Sequence, residues 1–354
     1  MKKKALGLTG LMVSEIGFGA SPLGNEFRET DPAEGVRAVH AAIDRGINFF
    51  DVSPYYGRTL AEERLGIALE GKRQHVILAT KCGRYDTDLF DFSPARLRAS
   101  IDESLARLRT DYVDLWQAHD IEFGDLNQIV NEAIPAMREI QKQGKARFIG
   151  ITGLPLKALR SVAERVPVDA VLSYCRYNLM MNDMDQLLTP FVKEKSMGLV
   201  NASPLHMGAL TERGAPKWHP APEEVHRAGR EIVRACEARG FKIGDVALRF
   251  CLDHSYAAST LVGIGNIGQA QGGSRRRESR SGVKPLLLRS TLMRLGAPRT
   301  ALSRFITITT CSPVRLCPPR WRGSPDYSRR PPSAPECGVR RIAHRRRSPS
   351  TSIL

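Results

Sequence analysis

Four side chains of complementary chemistry lie near the ends of three successive apolar segments. Asp51 stands near the end of "INFFDV", and Tyr56 follows it by five residues. Lys81 ends "HVILATK", and His119 ends "VDLWQAH". A carboxylate, a phenol, an ammonium and an imidazole can together give and take a proton at one reacting atom.

This set of groups predicts proton transfer coupled to hydride transfer. A phenol has a pKa of about 10 in water, so we expect Lys81 to favour the phenolate and lower the pKa of Tyr56. Asp51 can pair with Lys81 and keep it charged, and His119 can hydrogen-bond the reacting oxygen. Because no side chain accepts a hydride, a nicotinamide cofactor must do so. The predicted reaction interconverts an alcohol and a carbonyl group.

Each of the four residues has a simpler interpretation when it is taken alone. An Asp after a strand is usually a turn residue, and a Tyr usually packs. A Lys at a strand end is usually solvated, and a His is more often a hydrogen-bonded core residue. Their coincidence at the ends of successive strands favours the catalytic interpretation.

The segments that carry these residues belong to a regular alternation of strands and helices. Strands are predicted at 14–20, 47–52, 75–81, 113–119, 148–153, 170–174, 198–203 and 259–265. Helices are predicted near 32–45, 60–70, 94–108, 126–143, 156–165, 183–196, 222–239 and 243–253. Because eight apolar strands alternating with helices can close into a parallel barrel, we predict an α/β fold, the (β/α)8 TIM barrel. The carboxyl ends of its strands would bring the four residues to one mouth.

An open doubly wound sheet is the alternative fold. That fold requires a GxGxxG turn after an early strand, and the early glycine cluster "GFGASPLG" does not fit the pattern. The bulk composition suits either fold, since 42% of the 354 residues are apolar. With no apolar run of 18 residues and no signal-peptide core, we expect a cytoplasmic protein without a membrane partner. The seven cysteines form no CxxC pair, which predicts free thiols and no metal site.

The positive charge is concentrated in the last part of the chain. The net charge is +16, but residues 271–354 hold 19 of the 53 Lys and Arg residues and only three of the 37 acidic ones. The first 270 residues are therefore neutral. We predict a barrel domain over 1–269 and an irregular, basic, Arg/Ser/Pro-rich tail over 270–354. The tail is either a disordered arm or, as we favour, a GC-rich coding sequence read in the wrong frame, so we expect no nucleic-acid partner.

Several longer stretches resemble a known family. "DVSPYYG", "ATKCG" and "QAHD" resemble the aldo-keto reductases, which carry an Asp, Tyr, Lys and His tetrad at these strand ends. "DIEFG" and "PKWHPA" are similar to the plant-type L-galactose dehydrogenases of ascorbate biosynthesis. The resemblance runs from about residue 4 to about residue 269. It implies NAD-dependent oxidation of L-galactose at C1 to the 1,4-lactone, with Tyr56 as general base and His119 orienting the sugar.

The same resemblance implies where the cofactor binds. Many family members hold the nicotinamide carboxamide with Ser-Asn and Gln, whereas this chain has Thr152-Gly153 and Tyr174. The loop "SPLHMG" matches the segment that embraces the pyrophosphate, and "VGIGNIGQ" begins the adenosine-phosphate site. The implied cofactor-binding residues are Thr152, Tyr174, Ser203, Leu205, Gly208, Gly263 and Gln269.

Three functions remain open from the sequence. The first is the NAD-dependent sugar dehydrogenase, with NADP as the alternative cofactor. The second is a general NADPH-dependent carbonyl reductase, because the same four residues run the reaction in either direction. The third is an inactive barrel with a basic binding tail. The sequence leaves the oligomeric state open.

Overall fold

The computed structural model describes residues 1–270. Its strands are β1 (Lys3–Ala5), β2 (Met12–Ser14), β3 (Ile16–Gly19), β4 (Phe49–Asp51), β5 (Ile77–Cys82), β6 (Val113–Ala118), β7 (Ala146–Gly153), β8 (Ala170–Tyr174), β9 (Gly198–Ala202) and β10 (Ser259–Gly263). Strands β3 to β10 run parallel and follow one another around a closed barrel, in which β10 pairs with β3. The predicted eight-stranded barrel is confirmed, and the open doubly wound alternative is wrong.

Helices cover the outside of the barrel between the strands. They are α1 (Pro32–Asp44), α2 (Leu60–Leu69), α3 (Pro94–Leu108), α4 (Leu126–Gln128), α5 (Ile134–Lys142), α6 (Leu156–Arg165), α7 (Met184–Leu187), α8 (Thr189–Glu194), α9 (Glu223–Glu237) and α10 (Ile243–Leu252). Two begin as their sequences predict, with a side-chain cap followed by proline. Asp31 accepts a hydrogen bond from the backbone N–H of Glu34 at 2.7 Å, and Ser93 caps α3 in the same way.

The barrel interior is filled by every second residue of the strands. Phe49, Leu115 and Leu172 are buried there in one apolar cluster. The short hairpin β1–β2 adds Leu6 and Val13 to the same cluster and thereby closes the end at which the strands begin. Every second side chain of a strand points into the barrel. The last inward-pointing side chain of each strand therefore lies at the other end of the barrel, which is the open mouth.

The structure departs from the predicted elements in three places. The hairpin β1–β2 was not predicted, because strands of three residues show no period. The helix predicted over 126–143 contains a π-helical turn, Ile129–Ala133, beside Pro135, whose missing N–H interrupts the regular bonding. The helix predicted over 183–196 is divided into α7 and α8 at Leu188.

The predicted tail lies outside the described residues, apart from its first residue, Ala270. The boundary between a barrel domain and a basic tail therefore stays a prediction. Within residues 1–270 no helix combines the length and apolar character needed to span a membrane. The four cysteines of that part are buried, free thiols.

Candidate active site

A buried lysine lies at the centre of the barrel mouth. Lys81 is 1% exposed, on the inner face of β5. Its ammonium donates to the carboxylate of Asp51, to the carbonyl of Val52 at 2.9 Å and to the hydroxyl of Tyr56 at 3.3 Å. The second carboxylate oxygen of Asp51 accepts from the amide of Gln117 at 3.0 Å. Both oxygens of Asp51 and all three donors of Lys81 are thus occupied, which fixes the ammonium against the phenol.

The loop that carries Tyr56 is held by an unusually close approach to the loop after β3. Gly57 has a φ of +62°, and a Cβ added there would lie 2.3 Å from the carbonyl oxygen of Gly24. A Cβ on Gly24 would in turn lie 2.7 Å from the backbone of Tyr56. The backbone N–H of Gly57 also donates to the carboxylate of Glu26 at 2.7 Å. Only glycine fits these close approaches and the positive φ of Gly57. Gly24 and Gly57 therefore fix the distance between the phenol of Tyr56 and Lys81.

The pKa of Tyr56 departs from the sequence-based prediction. Burial raises the pKa of Tyr56 to about 12, and this outweighs the opposite effect of the neighbouring Lys81 ammonium. The expectation of a lowered phenol pKa is therefore wrong for this structure, although Lys81 acts in the predicted direction. Burial also raises the pKa of Asp51, again against the charge of Lys81. Burial alone would lower the pKa of Lys81, but Asp51 and Tyr56 outweigh it and leave that pKa above its usual value.

His119 follows β6 and faces the phenol. Its ring lies 5.8 Å from the ring of Tyr56, almost perpendicular to it. Nδ1 is 3.0 Å from the hydroxyl of Ser53, so the serine fixes the orientation of the imidazole. Burial, with the charges of Lys81 and Arg84 in support, lowers the pKa of His119 to about 3. The imidazole is therefore neutral at pH 7 and can form a hydrogen bond to a substrate oxygen without adding charge.

A second buried ion pair borders these residues on the side of β7. Arg84 donates to Asp120 at 2.5 Å, and both side chains are at most 6% exposed. The guanidinium also lies 3.8 Å above the ring of Tyr55. Asp120 is 3.6 Å from Nε2 of His119, and its backbone N–H donates to the hydroxyl of Thr152 at 3.1 Å. These contacts connect the three strand ends β5, β6 and β7 into one polar rim.

The rim continues to a carboxyl group with an unused oxygen. Glu122 accepts from the backbone N–H of Leu154 at 2.9 Å through Oε1, whereas its Oε2 is buried and makes no hydrogen bond. Burial, followed by the charge of Asp120, raises the pKa of Glu122 to about 8. The pKa of Tyr174, the last residue of β8, is raised by burial and then by the charges of Asp120 and Glu122. Tyr174 therefore lies close to these two acidic residues.

The remaining residues expected to bind a cofactor follow the next two strands. In the loop after β9, Ser203 and Gly208 have φ values of +58° and +101°, and Leu205 lies between them in the apolar cluster under α9. Gly263 ends β10, and the side-chain oxygen of Gln269 accepts from the backbone N–H of Gly265 at 2.8 Å. Because β9 and β10 are paired, these two loops are neighbours on the rim that carries Thr152 and Tyr174.

The four residues singled out in the sequence are therefore brought together, and five further residues of the site were missed. Gln117 and Ser53 orient Asp51 and His119, while Arg84, Asp120 and Glu122 form the polar rim. The alternation of β6 could have revealed Gln117, which shares a face with Leu115. The geometry supports removal of a proton from, or its delivery to, an oxygen that contacts both Tyr56 and His119.

Comparison with known proteins agrees with this geometry. The sequence model of the aldo/keto reductase family matches residues 15–275. The chain belongs to this family. It is 51% identical to L-galactose dehydrogenase of Arabidopsis thaliana over 76% of this chain and 85% of that protein. It is 30% identical to D-threo-aldose 1-dehydrogenase of a Pseudomonas species over 73% of this chain and 88% of that protein.

A solved structure gives the same result for the fold. The aldo-keto reductase of Bacillus halodurans in its holo form superposes with a TM-score of 0.70 at 27% identity, covering 83% of this chain and 96% of that one. The chain is accordingly an oxidoreductase of the aldo/keto reductase family, whose members use nicotinamide cofactors. Two of these relatives are, by their names, dehydrogenases of sugars.

Proposed function

We propose that this protein oxidises the C1 hydroxyl of L-galactose to L-galactono-1,4-lactone with NAD. The observation that carries the proposal is the chain of contacts from Asp51 through Lys81 to Tyr56, in which the ammonium lies 3.3 Å from the phenol oxygen. The 51% identity to the Arabidopsis L-galactose dehydrogenase supports the choice of sugar.

The catalytic roles proposed for Asp51, Tyr56, Lys81 and His119 follow from their contacts. Oxidation removes a proton from the C1 hydroxyl and a hydride from C1 itself, and the nicotinamide, when bound, accepts the hydride. Tyr56 accepts the proton, and the ammonium of Lys81 stabilises the phenolate that precedes this step. Asp51 keeps Lys81 charged in a buried position, and neutral His119 hydrogen-bonds the sugar oxygen.

We further propose that the cofactor binds along the other half of the mouth. Thr152 and Tyr174 stand beside the nicotinamide, the loop after β9 holds the pyrophosphate, and the end of β10 begins the adenosine site. The residues proposed for these contacts are Thr152, Tyr174, Ser203, Leu205, Gly208, Gly263 and Gln269. We propose no resident metal.

One observation favours a second candidate, the NADPH-dependent reduction of a carbonyl group. A phenol with a pKa of about 12 is protonated at neutral pH and is thus ready to donate its proton, as reduction requires. The family as a whole generally uses NADP, which agrees with this direction. Oxidation by the same site should accelerate as pH rises, because the phenolate becomes more populated.

The test is formation of NADH by the purified full-length chain with L-galactose, L-fucose, D-arabinose or D-galactose. Activity that is selective for L-galactose and prefers NAD to NADP is the expected result. Carbonyl reduction with NADPH, without sugar oxidation, would replace the first proposal by the second. A folded chain that binds no dinucleotide would contradict both.

We also propose that the reaction belongs to ascorbate biosynthesis in the cytoplasm. Cell fractionation followed by activity measurement tests the location. The proposed partners are the sugar and the dinucleotide, with no nucleic acid and no membrane. We keep residues 1–269 as the proposed catalytic domain and 270–354 as the proposed basic tail.

A further inference from the structure

Three histidines connect the loop after β9 to the helix α9 that follows it. We propose that His206, His219 and His226 form a clasp that holds this loop closed at neutral pH and releases it, together with a bound dinucleotide, as the pH falls. The part that concerns the dinucleotide rests on the proposed function, in which the loop holds the pyrophosphate. The clasp itself rests on the contacts of the three rings.

His219 is the middle member of the clasp, and each of its ring nitrogens has a fixed role. Nε2 lies 3.1 Å from the carbonyl oxygen of His206, so this nitrogen carries the proton and donates it. Nδ1 accepts from the backbone N–H of Ala221 at 3.2 Å and from Nε2 of His226 at 3.2 Å. A proton added to Nδ1 of His219 would therefore face two N–H donors and would break both contacts.

His206 is held in the same way by the loop after β8. Its Nδ1 lies 3.1 Å from the side-chain nitrogen of Asn178. The orientation of that amide is fixed, because its oxygen accepts from the backbone N–H groups of Met180 and Met181 at 2.9 and 3.1 Å. Its nitrogen also donates to the carbonyl of Cys175 at 3.1 Å. Nδ1 of His206 therefore accepts from an N–H group, and this contact too requires an unprotonated nitrogen.

The backbone of the loop needs such a clasp, because it passes repeatedly through the left-handed region. Ser203, His206 and Met207 have φ values of +58°, +49° and +48°, and Gly208 follows at +101°. Residues with a side chain disfavour this conformation, so it persists only while the surroundings hold it. Loss of the histidine contacts therefore favours an open conformation of the loop.

Charged groups face the clasp from two elements. In the loop after β8, Arg176 pairs with Asp183 at 3.1 Å. On α9, the carboxylate of Glu223 lies 3.8 Å from Nδ1 of His226 and also pairs with Arg230. The clasp is thus bordered by an Arg–Asp pair on the side of β8 and by a Glu–Arg pair on α9.

The two inner histidines are neutral at pH 7. Burial is the largest cause, and the charges of His219 and Arg176 add to it, so that the pKa of His206 is lowered to about 4. Burial also lowers the pKa of His219, although its hydrogen bond to the carbonyl of His206 acts in the other direction. Within residues 1–270 neither ring forms an ion pair with a carboxylate that could balance an added charge.

The sign of the pH dependence follows from these pKa values. A histidine of the open loop has a pKa of about 6.5, so the open loop binds protons more tightly than the closed loop does. Closure is therefore strongest above about pH 6.5 and weakens as the pH falls towards about 4. Between about pH 7.5 and about pH 5.5, the ratio of closed to open loop should fall about tenfold through His206 alone.

The first experiment is hydrogen exchange of the full-length protein, measured by mass spectrometry on peptides from residues 203–222. After correction for the intrinsic exchange rate, this loop should exchange at least about tenfold faster at about pH 5.5 than at about pH 7.5, because exchange reports the population of the open loop. Peptides from β5 and β6 are the internal reference and should change less than about threefold. A loop whose corrected exchange is the same at both pH values would overturn the clasp.

The variant that tests the histidines is His206→Asn/His219→Asn. At both positions the asparagine oxygen can replace Nδ1 as acceptor without taking up a proton, and asparagine tolerates the positive φ at position 206. The pH response of loop exchange should then fall below about threefold. The control His75→Asn, at an exposed position before β5, should keep the full response. A double variant that keeps the wild-type response would overturn the clasp.

The single variant His206→Asn serves where the double variant does not fold. It keeps the contact between His219 and the backbone of Ala221. It should lose the tenfold part of the response that His206 contributes, and an unchanged response would remove His206 from the clasp.

The second experiment is the rate of NADH release, measured by stopped-flow fluorescence at the same two pH values. Because release requires an open loop, the wild type should release NADH at least about tenfold faster at the lower pH, and the double variant should differ less than about threefold. Loop exchange that responds to pH while NADH release does not would overturn the link between the clasp and the dinucleotide. Failure of the wild-type chain to bind NADH would overturn the proposed function, whereas hydrogen exchange would still decide the clasp.

Discussion

Replacement of Asp51 by asparagine removes the negative charge that balances Lys81 while keeping the shape of the side chain. Both side chains are at most 3% exposed. In the variant, the ammonium keeps its contacts with the carbonyl of Val52 at 2.9 Å and with the phenol of Tyr56 at 3.3 Å, but neither contact carries a full charge. The result is a buried ammonium without a counter-charge.

The expected loss of stability is large. Breaking a buried ion pair by removing one partner costs about 3–5 kcal/mol, against a total stability of about 5–15 kcal/mol for an ordinary protein. Asp51→Asn should therefore fold but unfold at a much lower denaturant concentration. Burial without Asp51 lowers the pKa of Lys81, so the unfolded state binds the proton more tightly than the folded state. The deficit relative to the wild type should accordingly narrow as pH rises from about 7 to about 9.

The measurement is equilibrium unfolding in guanidinium chloride at both pH values, followed by tryptophan fluorescence. The matched control is Asp102→Asn, because Asp102 pairs with Lys145 at 2.5 Å with the carboxylate 59% exposed. That surface pair should contribute less than about 1 kcal/mol. The double variant Asp51→Asn/Lys81→Met should recover more than half of the loss. Equal, small losses in Asp51→Asn and Asp102→Asn would refute the buried ion pair.

Three more predictions concern neighbouring residues. Ser53→Ala removes the partner of His119 at 3.0 Å and should lower kcat/KM for sugar oxidation about tenfold with little change in melting temperature; an unchanged kcat/KM would remove the serine from the site. Gly57→Ala should lower activity more than tenfold, because the added Cβ would lie 2.3 Å from the carbonyl oxygen of Gly24. The control Gly144→Ala also has a positive φ, +82°, but open space around it, so it should reduce stability without reducing activity. Equal activities of the two variants would contradict the argument. Because burial raises the pKa of Glu122 to about 8, unfolding releases a proton between about pH 4.5 and 8, so this group's contribution to stability falls as pH rises through that range. In Glu122→Gln this fall in stability should be absent when unfolding is measured at about pH 4.5 and at about pH 8. A pH dependence of stability identical to that of the wild type would mean that the carboxyl of Glu122 is exposed to solvent.

The barrel and the meeting of the four residues could be predicted because both depend on repeating patterns. Apolar strands separated by helices specify the sheet, and the strand ends then fix where Asp51, Lys81 and His119 must lie. The position of Tyr56 is set by the close approach of Gly24 and Gly57, which lie 33 positions apart in the chain, and no local pattern encodes that approach. The sequence could predict that Tyr56 lies at the barrel mouth, but it could not predict the distance between its phenol and Lys81.

The electrostatics could be predicted only in sign. The effect of Lys81 on Tyr56 has the expected direction, but the pKa rises because burial is the larger contribution, and burial depends on packing. Glu122 shows the same limit. In the sequence it is one acid in "DIEFG", and only the structure shows that its Oε2 occupies the space beside Gly153. Residues that act through a neighbour were missed more often than residues that stand at strand ends.

The most direct test of the account is the full-length Tyr56→Phe variant, which removes one hydroxyl and keeps the ring. The hydroxyl contacts Lys81 at 3.3 Å and is the proposed acceptor of the substrate proton. The account predicts that NADH formation with L-galactose falls by at least about 10²-fold, as loss of a general base does, while calorimetric binding of NADH stays within about threefold of the wild type. A variant that keeps most of its turnover would contradict the assignment of Tyr56 and the proton path built on it.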